Sequence, residues 1–305
     1  MADVRIGISG WRYEPWRGDF YPTELTQKNE LYYASRQVSS IEINGSFYAT
    51  QSPKSYKTWA AATPDDFVFS VKCPRYITHI RRLKDVREPL SNFFASGVLH
   101  LDKKLGAFLW QFPPSFRFDE ERVEEFFKML PTHFKKAVAL AKESERYDAE
   151  YPKEFARSNR PLHHAMEVRN HSFENPDFIK LLRKYNVALV LADTAGKWPY
   201  MEDITADFMY LRLHGDEELY ASGYDKSTLR WWADRIELWE AGRQASDALT
   251  ISEDKPPAAK SRNIYVYFDN DMKVRAPYDA RTLMGLLGQK RVNTEGPTPV
   301  PELGL

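Results

Sequence analysis

One cysteine, Cys73, in 305 residues excludes internal disulfides and any metal centre built from a cysteine cluster. Excess charge of either sign is also missing. The 43 basic side chains balance the 43 acidic ones, so binding to nucleic acid or a membrane surface would have to come from a local patch. No stretch approaches the roughly 20 apolar residues of a membrane span. Residues 1–8 hold no apolar run of signal-peptide length, so a cytoplasmic protein with no membrane partner is expected. Asn44-Gly45-Ser46 and Asn170-His171-Ser172 fit the glycosylation pattern, but without a secretory leader they carry no weight. Phosphate-loop, dinucleotide-binding and zinc-protease motifs are absent, so no nucleotide cofactor is expected.

What is present is an alternation of short apolar runs and helical stretches. The apolar runs fall at 4–8, 39–44, 67–72, 105–111, 163–169, 187–193, 208–214 and 264–269, and read as eight strands. Between them the pattern predicts helices over 24–37, 53–62, 88–99, 119–130, 175–185, 227–241 and 277–287, with one more inside 132–160. Pro53 suits a first helical turn, and Asp119 and Ser227 suit caps. Residues 194–206 are too few for a full helix with its loops. Strands joined mostly by helices imply a parallel sheet covered on both faces. Eight repeats imply a (β/α)₈ TIM-type barrel, a single domain over 1–290 that is irregular after the sixth strand, with a doubly wound open sheet as the alternative. Segments 140–160 and 242–262 read as loop insertions, the second flexible, and 291–305 as a Pro-rich tail. Trp231, Trp232 and Trp239 recur at helical spacing and are expected to pack against the barrel.

Polar residues collect at the carboxyl ends of these runs, where a barrel carries its active site. The ends hold Ser9 and Trp11, Glu42 and Asn44, Ser70 and Lys72, Gln111, Glu167 and Arg169, Asp193, Arg212 and His214, and Asp269-Asn270. The pairs 42/44, 167/169 and 212/214 keep strand parity, so each pair shares a face. One buried charge is commonly a structural ion pair. Polar groups at the same end of nearly every strand point to a shared pocket, because each costs stability unless it is paired.

Gly7-Ile8-Ser9-Gly10-Trp11 with Tyr13, Trp16 and Phe20-Tyr21-Pro22 resembles the opening of the domain-of-unknown-function-72 (DUF72) family, the YecE-like proteins. Glu42-Ile43-Asn44, Phe47-Tyr48, Phe69 with Lys72, Gln111-Phe112-Pro113 and Glu167-Val168-Arg169 with Ser172-Phe173 continue the likeness. Arg212-Leu213-His214-Gly215, Tyr220 with Tyr224, and Tyr267-Phe268-Asp269-Asn270-Asp271 complete it over almost the whole chain. The resemblance implies a TIM-type barrel and supplies no activity. Its fold is similar to that of endonuclease IV and sugar isomerases, which is fold-level analogy only.

Several chemistries fit these residue types. In an enzyme acting on a phosphorylated or nucleic-acid substrate, hydrolytic in the simplest case, Glu167, Asp193 and His214 would be the catalytic groups. Trp11, Glu42, Asn44, Lys72, Gln111, Arg169, Arg212, Asp269 and Asn270 would then bind the ligand, with the three cations meeting phosphate and Trp11 and Trp16 stacking on a base or sugar. His79, Arg81 and Arg82 would meet a phosphate backbone at the rim. A divalent metal would use Glu42, Glu167, Asp193, His214 and Asp269, although only His214 among the histidines sits firmly at a strand end, and no metal ligand is assigned. A carbohydrate-active enzyme would need Glu42 and Glu167 flanking one bond, with three strands between them. Cys73, followed by Pro74, reads as a core residue and not as a nucleophile. The non-catalytic alternative is a protein that holds an anionic small molecule or nucleic acid in the same pocket. Convergence of Glu167, Asp193 and His214 on one point favours chemistry, and carboxylates locked by cations favour binding or structure.

Overall fold

The structure, a computed structural model, describes residues 2–215, 219–220 and 222–289. Eight parallel strands close in sequence order into a barrel: β1 (Val4–Ser9), β2 (Ser40–Ile43), β3 (Val68–Lys72), β4 (Leu105–Gln111), β5 (His163–Glu167), β6 (Val187–Asp193), β7 (Phe208–Leu213) and β8 (Asn263–Phe268). Nine α-helices cover it among the described residues: α1 (Glu30–Ala34), α2 (Gly45–Tyr48), α3 (Pro53–Ala62), α4 (Arg87–Ala95), α5 (Glu120–Met129), α6 (Phe134–Ala141), α7 (Pro176–Tyr185), α8 (Lys226–Glu240) and α9 (Arg275–Leu286). No described helix is long and apolar enough to cross a membrane. The predicted tail, 291–305, lies outside the described residues.

Strand parity divides the core in two. Ile6, Ile8, Ile41, Ile43, Phe69, Val71, Phe108, Trp110, Leu189, Leu191, Leu211, Val266 and Phe268 form one cluster with the helices. The alternate positions face inward: Ala107, Leu109, Ala165, Ala188, Val190, Ala192, Phe208, Tyr210, Tyr265 and Tyr267. Small residues on β4 to β6 leave room for the rings of β7 and β8, which fill the barrel as a packed core. The Tyr267 hydroxyl is 2.6 Å from the Ser40 hydroxyl and donates to Ser70 Oγ at 2.8 Å. Gly7 shows how closely β1 and β2 approach: a Cβ there would lie 1.9 Å from the Ser40 carbonyl oxygen.

Two helices depart from the sequence pattern. The helix expected over 24–37 shrinks to α1, because residues up to 26 belong to an aromatic loop that folds back through Tyr21 N–H to the Trp16 carbonyl at 2.8 Å. The cap of α8 is Asp225, which accepts from Thr228 N–H at 2.7 Å, and not Ser227, whose hydroxyl also donates to it. Trp232 and Trp239 are buried as expected. Trp231 is corrected to the surface, 40% exposed, with the Arg235 guanidinium 4.1 Å from its ring.

The β6–β7 connection carries no helix. Segment 242–262 packs there, tied down by two acidic residues of that connection. Glu202 accepts from Leu249 N–H at 2.7 Å, and Asp203 accepts from the N–H groups of Ile251 at 2.8 Å and Ser252 at 3.0 Å. Cys73 is fully buried, and burial pushes its thiol up.

Candidate functional site

Arg212, next to last in β7, stands at the centre of the carboxyl-end cluster and is completely buried. Its Nε and Nη2 grip Glu42 at 3.1 and 2.9 Å, Nη1 reaches Glu167 at 2.8 Å, and Nη2 also reaches Asp269 at 2.8 Å. The second Nη1 proton faces His214 Nε2 at 3.5 Å. A guanidinium has five N–H donors, and here all five have a protein acceptor. A charge this deep is tolerable only with such complete pairing. Burial alone would pull the Arg212 pKa down, but Asp269, Glu42 and Glu167 hold it well above the usual arginine value. The expectation that Arg212 binds a ligand phosphate is therefore corrected: its donors are spent inside the protein.

The carboxylates around Arg212 have further partners. Glu42 also accepts from the Ser9 hydroxyl at 3.0 Å and the Tyr210 hydroxyl at 2.6 Å, so both oxygens are doubly held. Glu167 accepts from Arg169 Nε at 2.7 Å as well as from Arg212. Burial pushes the Glu167 carboxyl up, but Arg169, Arg212 and His214 outweigh it and leave the group below the ordinary carboxylate range. Asp269 follows the same logic, with Arg212 and His214 offsetting burial. His214 Nδ1 sits 3.0 Å from Asp269 Oδ2; burial and then Arg212 lower its pKa, against the attraction of Asp269 and Glu167. Among the described residues no group of three or more His, Cys, Asp or Glu is arranged to hold a metal ion. Arg212 engages three of the carboxylates that the metal alternative named, Glu42, Glu167 and Asp269.

Two expected site residues fall outside this cluster, and parity explains both. Asp193 shares the parity of Leu189 and Leu191, which face the helices, and accepts from the Tyr224 hydroxyl at 2.9 Å. Its carboxylate is engaged by Tyr224 on the helix side, whereas Glu167 and His214 both face Arg212. Asn270 faces away as well: its amide donates to Asp279 of α9 at 2.8 Å and to the Ser222 carbonyl at 2.9 Å. It ties the barrel to its last helix.

Three donors remain unspent, on consecutive strands. Lys72 ends β3, Gln111 ends β4, and Arg169 follows β5 by two residues. Gln111 is 5% exposed, and its amide has no hydrogen bond among the described residues. Arg169 uses Nε on Glu167 and stacks on Trp198 at 3.7 Å, leaving both terminal nitrogens without a protein partner among the described residues. Lys72 is 9% exposed, with Nζ 4.5 Å from the centre of the Phe47 ring. Burial, then Arg212, pull its pKa down to about 8 against the attraction of Asp269, Glu42 and Glu167.

The segments after β1 and β2 line a cleft of about 390 Å³, walled by Trp11, Tyr13, Asn44, Tyr48 and Trp59. Trp11 meets Trp59 edge to face at 5.3 Å. Asn44 Oδ1 is buried there without a hydrogen-bond partner among the described residues. Trp16 does not join this wall; it is buried in the core and cannot stack on a ligand. The rim is less cationic than the sequence suggests. Arg81 is tied to Asp85 at 3.1 Å, and the His79 pKa is lowered to about 4 by burial and then by Arg169, Arg75 and Lys72. Sequence reasoning missed Tyr210 and Trp198. Tyr210 was legible by parity with Arg212, whereas Trp198 lies in the helix-free connection, where no period marks it.

Fold and cluster together define an eight-stranded α/β barrel with a neutralised ionic network at the carboxyl ends of its strands. The chain belongs to the family described as protein of unknown function DUF72, whose profile matches residues 5–303. It is similar to the DUF72 family protein TM1631 of Thermotoga maritima MSB8, with a TM-score of 0.70 and 25% identity over 94% of this chain and 100% of that one. The DUF72 family protein EF0366 of Enterococcus faecalis V583 shares the fold, with a TM-score of 0.68 and 18% identity over 97% of this chain and 100% of that one. The UPF0759 protein YunF of Bacillus subtilis (strain 168) is 31% identical over 129 residues, a match that spans 39% of this chain and 43% of that protein.

Proposed function

We propose that the barrel mouth binds a phosphate-bearing ligand, held by Arg169, Lys72 and Gln111. One observation carries this reading: these three side chains keep unused donors on neighbouring strands, while every carboxylate oxygen nearby with a cationic partner is already engaged by it. Neighbouring strands lie about 4.8 Å apart, and the long lysine and arginine side chains have the reach to converge on one anion across three of them. Arginine presents its free edge as a planar fork suited to phosphate. The aromatic cleft formed after β1 and β2 favours a ligand with a flat ring, which ranks nucleotides and single-stranded nucleic acid above sugar phosphates.

Binding is favoured over hydrolysis by the expected trio, because Asp193 faces the helices and both nitrogens of His214 face Asp269 and Arg212. The test is a thermal-shift and calorimetric series with inorganic phosphate, nucleoside monophosphates, sugar phosphates and short oligonucleotides. Arg169→Ala and Lys72→Ala are each expected to weaken the best ligand at least tenfold. Undiminished affinity in the double variant would overturn the assignment.

A further inference from the structure

Among the described residues, Lys72 is the one buried cation of the cluster that the ionic network leaves out. Arg212 and Arg169 take up Glu42, Glu167 and Asp269, so Lys72 has carboxylates in its surroundings yet makes no ion pair and no hydrogen bond among the described residues. Its stem is packed, its Nζ lies over Phe47, and it sits at the last position of β3, facing the barrel mouth. The charged and titratable groups around it are Glu42 of β2, Glu167 of β5, Arg212 of β7, Asp269 after β8, and His79 of the turn Tyr76–Ile80. A counter-ion role would have placed one carboxylate against it. A desolvated amine beside a second cation is instead the arrangement that gives lysine nucleophilic character.

We propose that Lys72 forms a reversible imine with the aldehyde or ketone carbon of a small organic anion. The unprotonated Nζ donates its lone pair to the carbonyl carbon while the carbonyl π pair moves to oxygen, which takes up a proton as the nitrogen loses one. The carbinolamine then expels its hydroxyl, protonated, as water, and the nitrogen lone pair closes the C=N bond. One water leaves and nothing is oxidised or reduced. The same donors place the anion: Arg169 and Gln111, on the two strands beyond Lys72, would hold a phosphate while the carbonyl meets the amine. That placement rests on the phosphate-pocket reading, whereas the reactivity of Lys72 does not.

The experiment separates the two. Wild-type protein is treated at pH 7 with sodium cyanoborohydride and either glycolaldehyde or glycolaldehyde phosphate, and the reduced adducts are located by peptide mass spectrometry. Lys72 is expected to be modified roughly 10- to 100-fold faster than exposed lysines such as Lys54 and Lys135, from its larger share of free amine. Its rate should level off above about pH 8. Lys72→Arg should remove this adduct while keeping the wild-type Tm. Faster trapping by the phosphate than by glycolaldehyde, lost in Arg169→Ala, supports both proposals. Equal trapping by the two aldehydes supports the reactive amine and counts against the phosphate anchor. Modification of Lys72 no faster than of Lys54 and Lys135 overturns the imine, whatever the phosphate titrations show.

Discussion

Arg212 holds Glu42 side-on, with Nε 3.1 Å from Oε2 and Nη2 2.9 Å from Oε1, and neither residue is accessible to solvent. This pairing joins β7 to β2 across the barrel and leaves the remaining donors of Arg212 to Glu167 on β5 and Asp269 after β8. Three acidic residues from different strands thus depend on one guanidinium.

Removing that guanidinium leaves Glu42 with no cationic partner among the described residues, Glu167 with Arg169 alone and Asp269 with His214 alone. Arg212→Met is expected to cost at least about 3–5 kcal/mol, since an uncompensated buried charge is far worse than a missing pair. Arg212→Lys should recover little, because an ammonium cannot reproduce the planar fork. Without Arg212 the carboxyls of the folded state hold protons more tightly than in the unfolded chain, so the deficit should shrink as pH falls from 7 toward 5. Urea unfolding at several pH values checks both statements.

Lys72 works against stability at neutral pH. The folded state gives up its proton near pH 8 and the unfolded chain near 10.5, so between these values the unfolded state binds more protons and stability rises with pH. Lys72→Met should therefore be more stable than wild type by about 1–3 kcal/mol at pH 7. The advantage should fade as pH rises from 8 to 10.5. A constant difference across that range would show that packing, and not charge burial, sets the effect.

Asp271 shows the opposite sign. Burial, then the negative charge of Asp269, raise its pKa from 3.8 to about 6. The folded state holds this proton more tightly, so the associated stability is present below pH 3.8 and lost as pH rises through 6. Asp271→Asn should match wild type near pH 4 and exceed it at pH 7, by about 1–2 kcal/mol. Chemical denaturation at the two pH values reads the difference directly.

Asp193 and Arg169 provide a paired contrast. Asp193→Ala should lower stability by about 1–2 kcal/mol through loss of the Tyr224 hydrogen bond, yet leave phosphate affinity within twofold. Arg169→Ala should do the reverse for affinity. Isothermal titration with the best ligand, paired with Tm values, distinguishes them. Loss of affinity in Asp193→Ala would mean that Asp193 reaches the pocket after all.

Much of this molecule is written in short apolar runs. The eight strands, the barrel, the irregularity after β6 and the polar carboxyl ends all follow from those runs and the helical stretches between them, because burial on both faces of a parallel sheet demands strands that are apolar throughout. Parity carried further than position: counting from Leu189 and Leu191 assigns Asp193 to the helix side, where simple nearness to a strand end had placed it in the pocket. Which cation takes which carboxylate was not legible. Lys72, Arg169 and Arg212 are equally basic in one dimension, and only closure of the barrel sets Arg212 between Glu42, Glu167 and Asp269, with five donors to fill. Once it has filled them, Lys72 and Arg169 are the cations left facing the mouth. That division between structure and availability depends on distances across the barrel, and no local pattern encodes it.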